Sequence, residues 1–172
     1  ILGNIEMKSG GYIMAEKTIN VTALGELLID FNENGTSAQG NTILEVNPGG
    51  APCNVLAMLQ KLGKQTAFIG KVGDDMFGRQ LTEAVSSVGV DTRALLVDKE
   101  VHTTLAFVHT YPDGDRDFSF YRNPGADMML TKEDVDEDLI RSSGIFHFGT
   151  LSSTHKGVRE ATRYAIDVAK EA

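Results

Sequence analysis

The sequence is poor in cysteine and in long apolar runs. Cys53 is the single cysteine among 172 residues. One thiol cannot form a disulfide within the chain, so we expect a fold held by its core, in a reducing compartment such as the cytoplasm. No apolar run approaches the roughly 18 residues that a membrane-spanning helix needs, so a membrane partner is not expected.

Basic side chains are also scarce. The 16 lysine and arginine residues face 24 acidic residues, which gives a formal net charge of -8. A negative surface repels nucleic-acid backbones and anionic membranes, so nucleic acid is not an expected partner, although a local pocket for a phosphate group stays compatible with it. Apolar residues make up 41% of the chain and charged residues 23%, which is typical of a globular domain.

The first residues differ from the rest. Residues 1–17 are rich in glycine and contain no continuous apolar segment, so they do not have the pattern of a signal peptide. Met14, followed by Ala15 and Glu16, looks like a native start. We therefore expect a disordered N-terminal extension at residues 1–17 and a folded domain at residues 18–172.

The first half of this domain alternates between strand and helix patterns. Uncharged apolar stretches predict strands, and apolar residues three or four positions apart predict helices, here with Val55, Leu59 and Leu62 on one face. We expect a buried strand at 19–29, a loop at 31–39, a strand at 42–46, a helix at 52–62, a strand at 66–72 and a helix at 76–88. Such alternation favours an α/β fold with a parallel sheet between helices.

The second half begins with a predicted hairpin. Strands at 103–110 and 117–122 flank a Pro-Asp-Gly turn signal. An acidic helix at 133–142, a buried strand at 145–148 and a helix at 154–172 are predicted to follow. The chain stops within this last helical pattern without a capping residue, so we expect it to be truncated on its C-terminal side.

Candidate ligand-binding residues surround the start of the helix at 52–62. Gly49 and Gly50 precede it and would let a ligand approach the backbone, although a plain tight turn has the same pattern. Asn54, in its first turn, can both donate to and accept from a polyol. Asp30 follows the first predicted strand, where open α/β sheets bind ligands, and an Asx turn is the equal alternative. Glu26 would be buried and needs a partner, and its role stays open.

Other motifs favour structural roles. The three glycines in residues 70–78 have the wrong spacing for a P-loop or a dinucleotide-binding turn, so we expect Asp74 or Asp75 to cap the next helix. The four histidines lack the spacing of a zinc site, and no metal site is expected. Cys53 is expected to be a buried structural thiol.

Several separated segments together resemble the ribokinase (pfkB) family of carbohydrate kinases. They occur in the family's order, and the resemblance covers residues 18–172. Within the family the fructokinases are the most similar, with 2-keto-3-deoxygluconate kinases and other sugar kinases as alternatives. The segments are LGELLID at 24–30, GGAPCNVLA at 49–57, IGKVGDDMFG at 69–78, FSFYRNPGAD at 118–127 and IFHFGTLS at 145–152.

This resemblance implies a ribokinase-like α/β fold. Its mostly parallel sheet is flanked by helices and carries a small β lid that closes on the sugar. The lid strands would come from residues near 31–47 and 103–122. In this family the lid often pairs with a second subunit, so a homodimer through the lid is expected.

The resemblance also implies a sugar kinase that transfers the ATP γ-phosphoryl group to a hydroxyl of D-fructose, giving fructose 6-phosphate. By position, Asp30, Gly49, Gly50 and Asn54 would bind sugar hydroxyls, and Arg122 would reach the substrate from the lid. The family's catalytic aspartate lies in a C-terminal Gly-Ala-Gly-Asp type motif that this sequence does not contain. ATP and Mg²⁺ are bound in that part too, so we expect no catalytic residue and no metal ligand here, and an inactive fragment.

Two functions of other classes compete with this interpretation. One is a non-catalytic sugar-binding domain of the same fold, because fold does not determine function. The other is a dehydrogenase of the Rossmann type, which is disfavoured because no Gly-x-Gly-x-x-Gly sequence follows Ile29.

Overall fold

The computed structural model describes residues 17–111 and 113–172, with Ser152 described by its backbone alone. Of the predicted N-terminal extension, only Lys17 lies within these residues. The strands are β1 Ile19–Leu24, β2 Leu28–Thr36, β3 Thr42–Gly49, β4 Thr66–Gly73, β5 Asp91–Asp98, β6 Leu105–Thr110, β7 Arg116–Tyr121 and β8 Ser143–Phe148. The α-helices are α1 Ala51–Lys61, α2 Met76–Ser87, α3 Glu137–Arg141 and α4 Lys156–Glu171, with short 3₁₀ turns at Ala126–Met129, Lys132–Asp134 and Leu151–Thr154.

A four-stranded parallel sheet lies between two layers of helices. Its order is β5-β4-β1-β8, and Val21 of β1 pairs with Thr66 of β4 and with Ile145 of β8. One face of β1 presents Ala23 to a core shared with α1 and α2, and the other presents Leu24 to a core shared with α3 and α4. The predicted α/β fold with a parallel sheet flanked by helices is confirmed.

The chain changes sheets where one continuous strand was predicted. β1 ends at Leu24, a connector of three residues follows at 25–27, and β2 begins at Leu28 in a second sheet. The prediction of a single strand at 19–29 is therefore wrong. Nothing in the sequence marks the division, because the connector and the start of β2 are buried as deeply as β1. The apolar pattern that predicted the strand therefore continues through all three segments.

The second sheet has the order β3-β2-β6-β7. β3 and β7 run antiparallel to their neighbours, and β2 and β6 are parallel. The hairpin of β6 and β7 is as predicted. The predicted loop at 31–39 is wrong, because β2 continues to Thr36 and its polar, exposed residues pair with β3. The polar side chains of this segment indicated a loop, although its backbone pairs with β3.

The helices begin and end close to their predicted bounds. α1 has Pro52 in its first turn, and Gly63, just beyond its end, has φ 77°. The predicted apolar face of α1 is only partly right: Leu59 packs against the core, but Cys53 and Leu56 are the buried residues, whereas Val55 and Leu62 are exposed. In α4 the predicted face is confirmed: Val158, Ala161, Ala165 and Val168 are buried. Among the described residues, none of the helices is long and apolar enough to cross a bilayer.

Three features of the second half differ from prediction. β5 was not predicted, because its apolar run, Ala94 to Val97, is short and lies between the charged residues Arg93 and Asp98. The helix expected at 133–142 is divided into a 3₁₀ turn and the short α3. β8 is a strand, as predicted, but it is not buried: it lies at the edge of the parallel sheet, where Ile145 is 60% and Phe148 40% exposed.

Asp75 connects the two sheets through α2. Its carboxylate accepts a hydrogen bond from the Gly78 amide at 2.8 Å, which caps α2 as predicted. It also accepts from the Thr103 amide at 2.8 Å and the Thr103 hydroxyl at 2.9 Å, two residues before β6. Burial opposes ionisation of this carboxyl group, but the hydrogen bonds from Thr103 and Gly78 prevail and lower its pKa below the usual value.

We therefore expect Asp75→Ala to lower the free energy of unfolding by about 2–3 kcal/mol at pH 7, because a helix cap and two further charged hydrogen bonds are lost. A carboxyl group with a lowered pKa stabilises the fold above its unfolded pKa of about 4, and this contribution disappears as the pH falls through the folded pKa. The stabilities of the two proteins in urea unfolding should therefore begin to converge as the pH falls below about 4. Asp74→Ala, an exposed neighbour, is the control and should change stability by less than about 0.5 kcal/mol. A pH-independent difference would contradict this assignment.

Candidate functional site

The carboxyl ends of β1 and β8 form the topological switch point of the parallel sheet. From β1 the chain proceeds to β4 and β5 on one side, and β8 later adds to the other side. In open α/β sheets ligands bind outside the carboxyl ends of strands at such a point. Here the Gly149 amide, just after β8, donates to the Leu24 carbonyl oxygen at the end of β1 at 2.9 Å.

Asp30 lies beyond this point, in the second sheet rather than at the end of β1, where the sequence placed it. It is the third residue of β2, opposite Asn47 of β3 and beside Ala106 of β6. Its side chain is partly buried, and this burial raises the pKa of its carboxyl group. Within residues 17–111 and 113–172, no hydrogen bond or ion pair to this carboxylate is found, whereas the Asp75 carboxylate accepts three hydrogen bonds.

Gly49 and Gly50 lie directly against this region. A Cβ atom on Gly49 would overlap the Asp30 carboxylate, so only glycine leaves that carboxylate in place. Gly50 has φ 117°, and a Cβ there would lie 2.5 Å from the Glu26 carbonyl oxygen. Both positions therefore require glycine for a reason of space.

Asn54 is one helical turn further along α1. Its backbone amide donates to the Gly50 carbonyl oxygen at 3.1 Å, and its side chain is exposed. Asn54 and Gly49 line one mostly apolar cavity of about 250 Å³. The structure thus places Gly49, Gly50 and Asn54 around the start of α1, with Asp30 in contact with the first of them.

Arg122 follows β7 and is engaged by protein groups. Its Nη2 lies 2.5 Å from Oδ2 of Asp127, whose side chain is fully buried, and its Nη1 donates to Oγ1 of Thr154 at 3.0 Å. Asp127 also accepts a hydrogen bond from Thr104, the residue before β6. The hydrogen bond from Arg122 to Thr154 joins the end of the second sheet to the connection between β8 and α4. Asp127 was not singled out from the sequence, where the available signal was an acidic residue five positions after an arginine.

We expect Arg122→Ala to cost about 3–5 kcal/mol in the free energy of unfolding, because Asp127 would be left buried without its charged partner. Arg116→Ala, at the exposed start of β7, is the matched control and should stay within about 0.5 kcal/mol of the unmodified chain. Chemical denaturation at neutral pH measures both. Equal stabilities of the two variants would show that the Arg122–Asp127 pair does not hold the second sheet in place.

Cys53, in the first turn of α1, is a buried thiol, as predicted. Burial is the main cause that raises its pKa, and the negative charge of Glu26 raises it further. The thiol therefore stays protonated at neutral pH and is a poor nucleophile.

The described residues form no cluster of metal ligands and no phosphate loop. No three His, Cys, Asp or Glu side chains among them are grouped to hold a metal ion. The glycine-containing segment at 70–78 is closed by protein contacts, since a Cβ on Gly73 would lie 2.5 Å from the Thr103 amide nitrogen. Asp75 within it is a helix cap, so this segment offers no phosphate loop.

The chain is similar to known proteins over most of its length. A family model described as pfkB family carbohydrate kinase matches residues 18–172. The chain is 44% identical to the probable fructokinase-2 of Arabidopsis thaliana over 154 residues, which are 88% of this chain and 47% of that protein. It is also 44% identical to the fructokinase of Solanum tuberosum over 155 residues, 88% of this chain and 48% of that one. The chain thus spans about half the length of these relatives.

Solved structures give the same result. The crystal structure of fructokinase from Xylella fastidiosa matches with a TM-score of 0.83 at 32% identity, covering 89% of this chain and 47% of that one. A second structure of that enzyme, with bound ATP, matches with a TM-score of 0.81 at 33% identity, covering 89% of this chain and 46% of that one.

Proposed function

The chain belongs to the pfkB family of carbohydrate kinases, and from that premise we propose that residues 18–172 are the sugar-binding part of a kinase that phosphorylates D-fructose to fructose 6-phosphate. The observation that carries this proposal is the Asp30 carboxylate. It is partly buried, has no protein partner among the described residues and faces a glycine pair at the start of a helix. A desolvated acceptor without a partner is suited to a ligand that supplies hydroxyl groups.

In the proposed complex, the two Asp30 carboxylate oxygens accept hydrogen bonds from adjacent sugar hydroxyls. Gly49 and Gly50 allow the sugar to approach the backbone, and the Asn54 side-chain amide donates to one hydroxyl and accepts from another. Arg122 would reach the sugar from the lid side. Its guanidinium has five N–H donors, so binding of Asp127 and Thr154 does not exhaust them.

The contribution of this part to catalysis is orientation. Holding the acceptor hydroxyl in line with a phosphoryl donor can supply roughly 7–11 kcal/mol of a barrier, provided that the stabilising groups share the same site. We propose that the catalytic base and the binding of ATP and Mg²⁺ belong to a segment outside these residues, because the chain spans about half the length of its relatives and its described residues show no cluster of metal ligands. The alternative substrates within the family are 2-keto-3-deoxygluconate and other sugars.

The second sheet is proposed to act as the lid. Asp30 lies on it, and its strands leave large apolar side chains exposed, among them Ile43, Phe118 and Phe120. Phe118 and Phe120 are stacked with ring centroids 6.1 Å apart. Exposed apolar area of this kind is covered in many proteins by a ligand or another subunit, which supports a homodimer through the lid.

A cytoplasmic location is proposed from the single, buried thiol.

Asp30→Ala should weaken the binding of D-fructose to the 172-residue chain by about tenfold or more, because hydrogen bonds to a charged acceptor contribute about 1.5–3 kcal/mol each. Titration with D-fructose, followed by NMR spectra of the backbone amides, gives the Kd. Binding of D-fructose should also weaken as the pH falls, because only the ionised carboxylate accepts hydrogen bonds at both oxygens. This loss should begin at a higher pH than for an ordinary aspartate, because burial raises the pKa of Asp30. Asp117→Ala, an exposed carboxylate on β7, is the control. An unchanged Kd for Asp30→Ala would contradict the proposed role of Asp30 in sugar binding.

The isolated 172-residue chain should not phosphorylate D-fructose when ATP and Mg²⁺ are supplied. The expected reason is that orientation of the sugar without a base and an anion hole gives little rate enhancement. A coupled assay for ADP measures this, with the sugar titration as proof that the protein is folded. Turnover in the ordinary enzyme range of about 1–10³ s⁻¹ would refute the division of the site that we propose. Binding without turnover in the intact gene product would favour the non-catalytic sugar-binding domain.

A further inference from the structure

Glu26 is the middle residue of the connector between β1 and β2. It is only 4% exposed, although it is an acidic residue in a chain of net charge -8. Burial of a carboxyl group is costly unless the surrounding structure compensates it. A residue of this kind at the switch point of the sheet, not in contact with solvent, requires a structural or functional reason.

Two glycines close around Glu26 from different elements. A Cβ on Gly149, just after β8, would lie 2.6 Å from Oε2 of Glu26 and 2.8 Å from Cγ of Pro52 in α1. A Cβ on Gly50 would lie 2.5 Å from the carbonyl oxygen of Glu26. The side chain of Glu26 therefore touches the residue just after β8, and its backbone touches Gly50, the N-cap residue just before α1.

The electrostatic environment of α1 fits a carboxylate at this place. The N-cap of α1, Gly50, provides no side-chain hydrogen bond, and the first turn of α1 contains no acidic residue. Negative charge near the start of a helix is stabilising. The charge of Glu26 acts on Cys53 in this first turn and contributes to the raised pKa of its thiol, so the carboxyl group lies close to the turn.

We propose that Glu26 is a positioning residue for the sugar site, an inference that rests on the function proposed above. Its carboxyl group fixes the start of α1, with Gly50 and Asn54, against the connector that leads to Asp30 four residues later. Asp30 lies in β2 and Asn54 in α1. To bind the same sugar, the two side chains must be held at a fixed distance from each other. Glu26 does not touch the sugar; it sets the spacing between groups that do.

The test compares Glu26→Gln and Gly149→Ala with the unmodified chain. Each variant should raise the Kd for D-fructose by about tenfold and shift the amide signals of Gly50 and Asn54, with the chain still folded. Gly157→Ala is the matched control, because the atom nearest to a Cβ there is 3.7 Å away and alanine suits that helical position. In the double variant Glu26→Asp with Gly149→Ala, the shorter acidic side chain leaves room for the alanine methyl group. Its Kd for D-fructose should return to within about threefold of that of the unmodified chain, because the effects of substitutions at contacting residues are coupled.

The outcomes separate this inference from the proposed function. If the unmodified chain does not bind D-fructose, the proposed function fails, whereas shifts at Gly50 and Asn54 in Glu26→Gln still support positioning. Should Gly149→Ala fail to fold, Glu26→Gln alone decides. A lowered melting temperature with unchanged amide signals at Gly50 and Asn54 and an unchanged Kd would overturn the proposal, because a residue that only stabilises the fold gives this result.

Discussion

The connector at residues 25–27 carries the chain from the parallel sheet into the second sheet, and the arrangement of the site depends on how closely it is packed. Glu26 within it is enclosed by Gly50 and Gly149, at positions where any side chain would collide with it. Because the connector is so short, β2 starts next to the carboxyl ends of β1 and β8. Asp30, the third residue of β2, is thereby delivered to the edge of the sheet where ligands bind in open α/β folds.

Three acidic residues near this edge differ in how their charge is compensated. Asp127 is fully buried and paired with Arg122, and Asp75 accepts three hydrogen bonds that lower its pKa. Asp30 has no such partner among the described residues, and burial raises its pKa. The first two hold the second sheet to the rest of the chain, while Asp30 is left with acceptor capacity that a polyol can use. This contrast distinguishes a binding carboxylate from structural ones.

Local patterns predicted the bounds of α1, α2 and α4 well, and the sheets less well. α4 shows its apolar face at regular spacing, and Asp75 and Gly63 mark helix ends by chemistry that acts within a few residues. The division between β1 and β2 was not predictable in this way, since Leu27 and Ile29 are buried like Ala23 but belong to a different part of the fold. Asp30 and the glycine pair were predicted as site residues from the sequence, but the reason for the glycines is contact with Asp30 and Glu26, which are distant from them in sequence. The pairing of Arg122 with Asp127 likewise depends on tertiary structure.

The central claim is that Asp30, Gly49, Gly50 and Asn54 together bind the sugar. A crystal structure of the 172-residue chain soaked with D-fructose tests it most directly. We predict sugar hydroxyl oxygens within about 2.5–3.2 Å of the Asp30 carboxylate, with the ring against Gly49 and Gly50. Fructose bound elsewhere, for example in the polar cavity of about 570 Å³ lined by Asp91 and Asp136 at the opposite end of the sheet, with no sugar at Asp30, would contradict it.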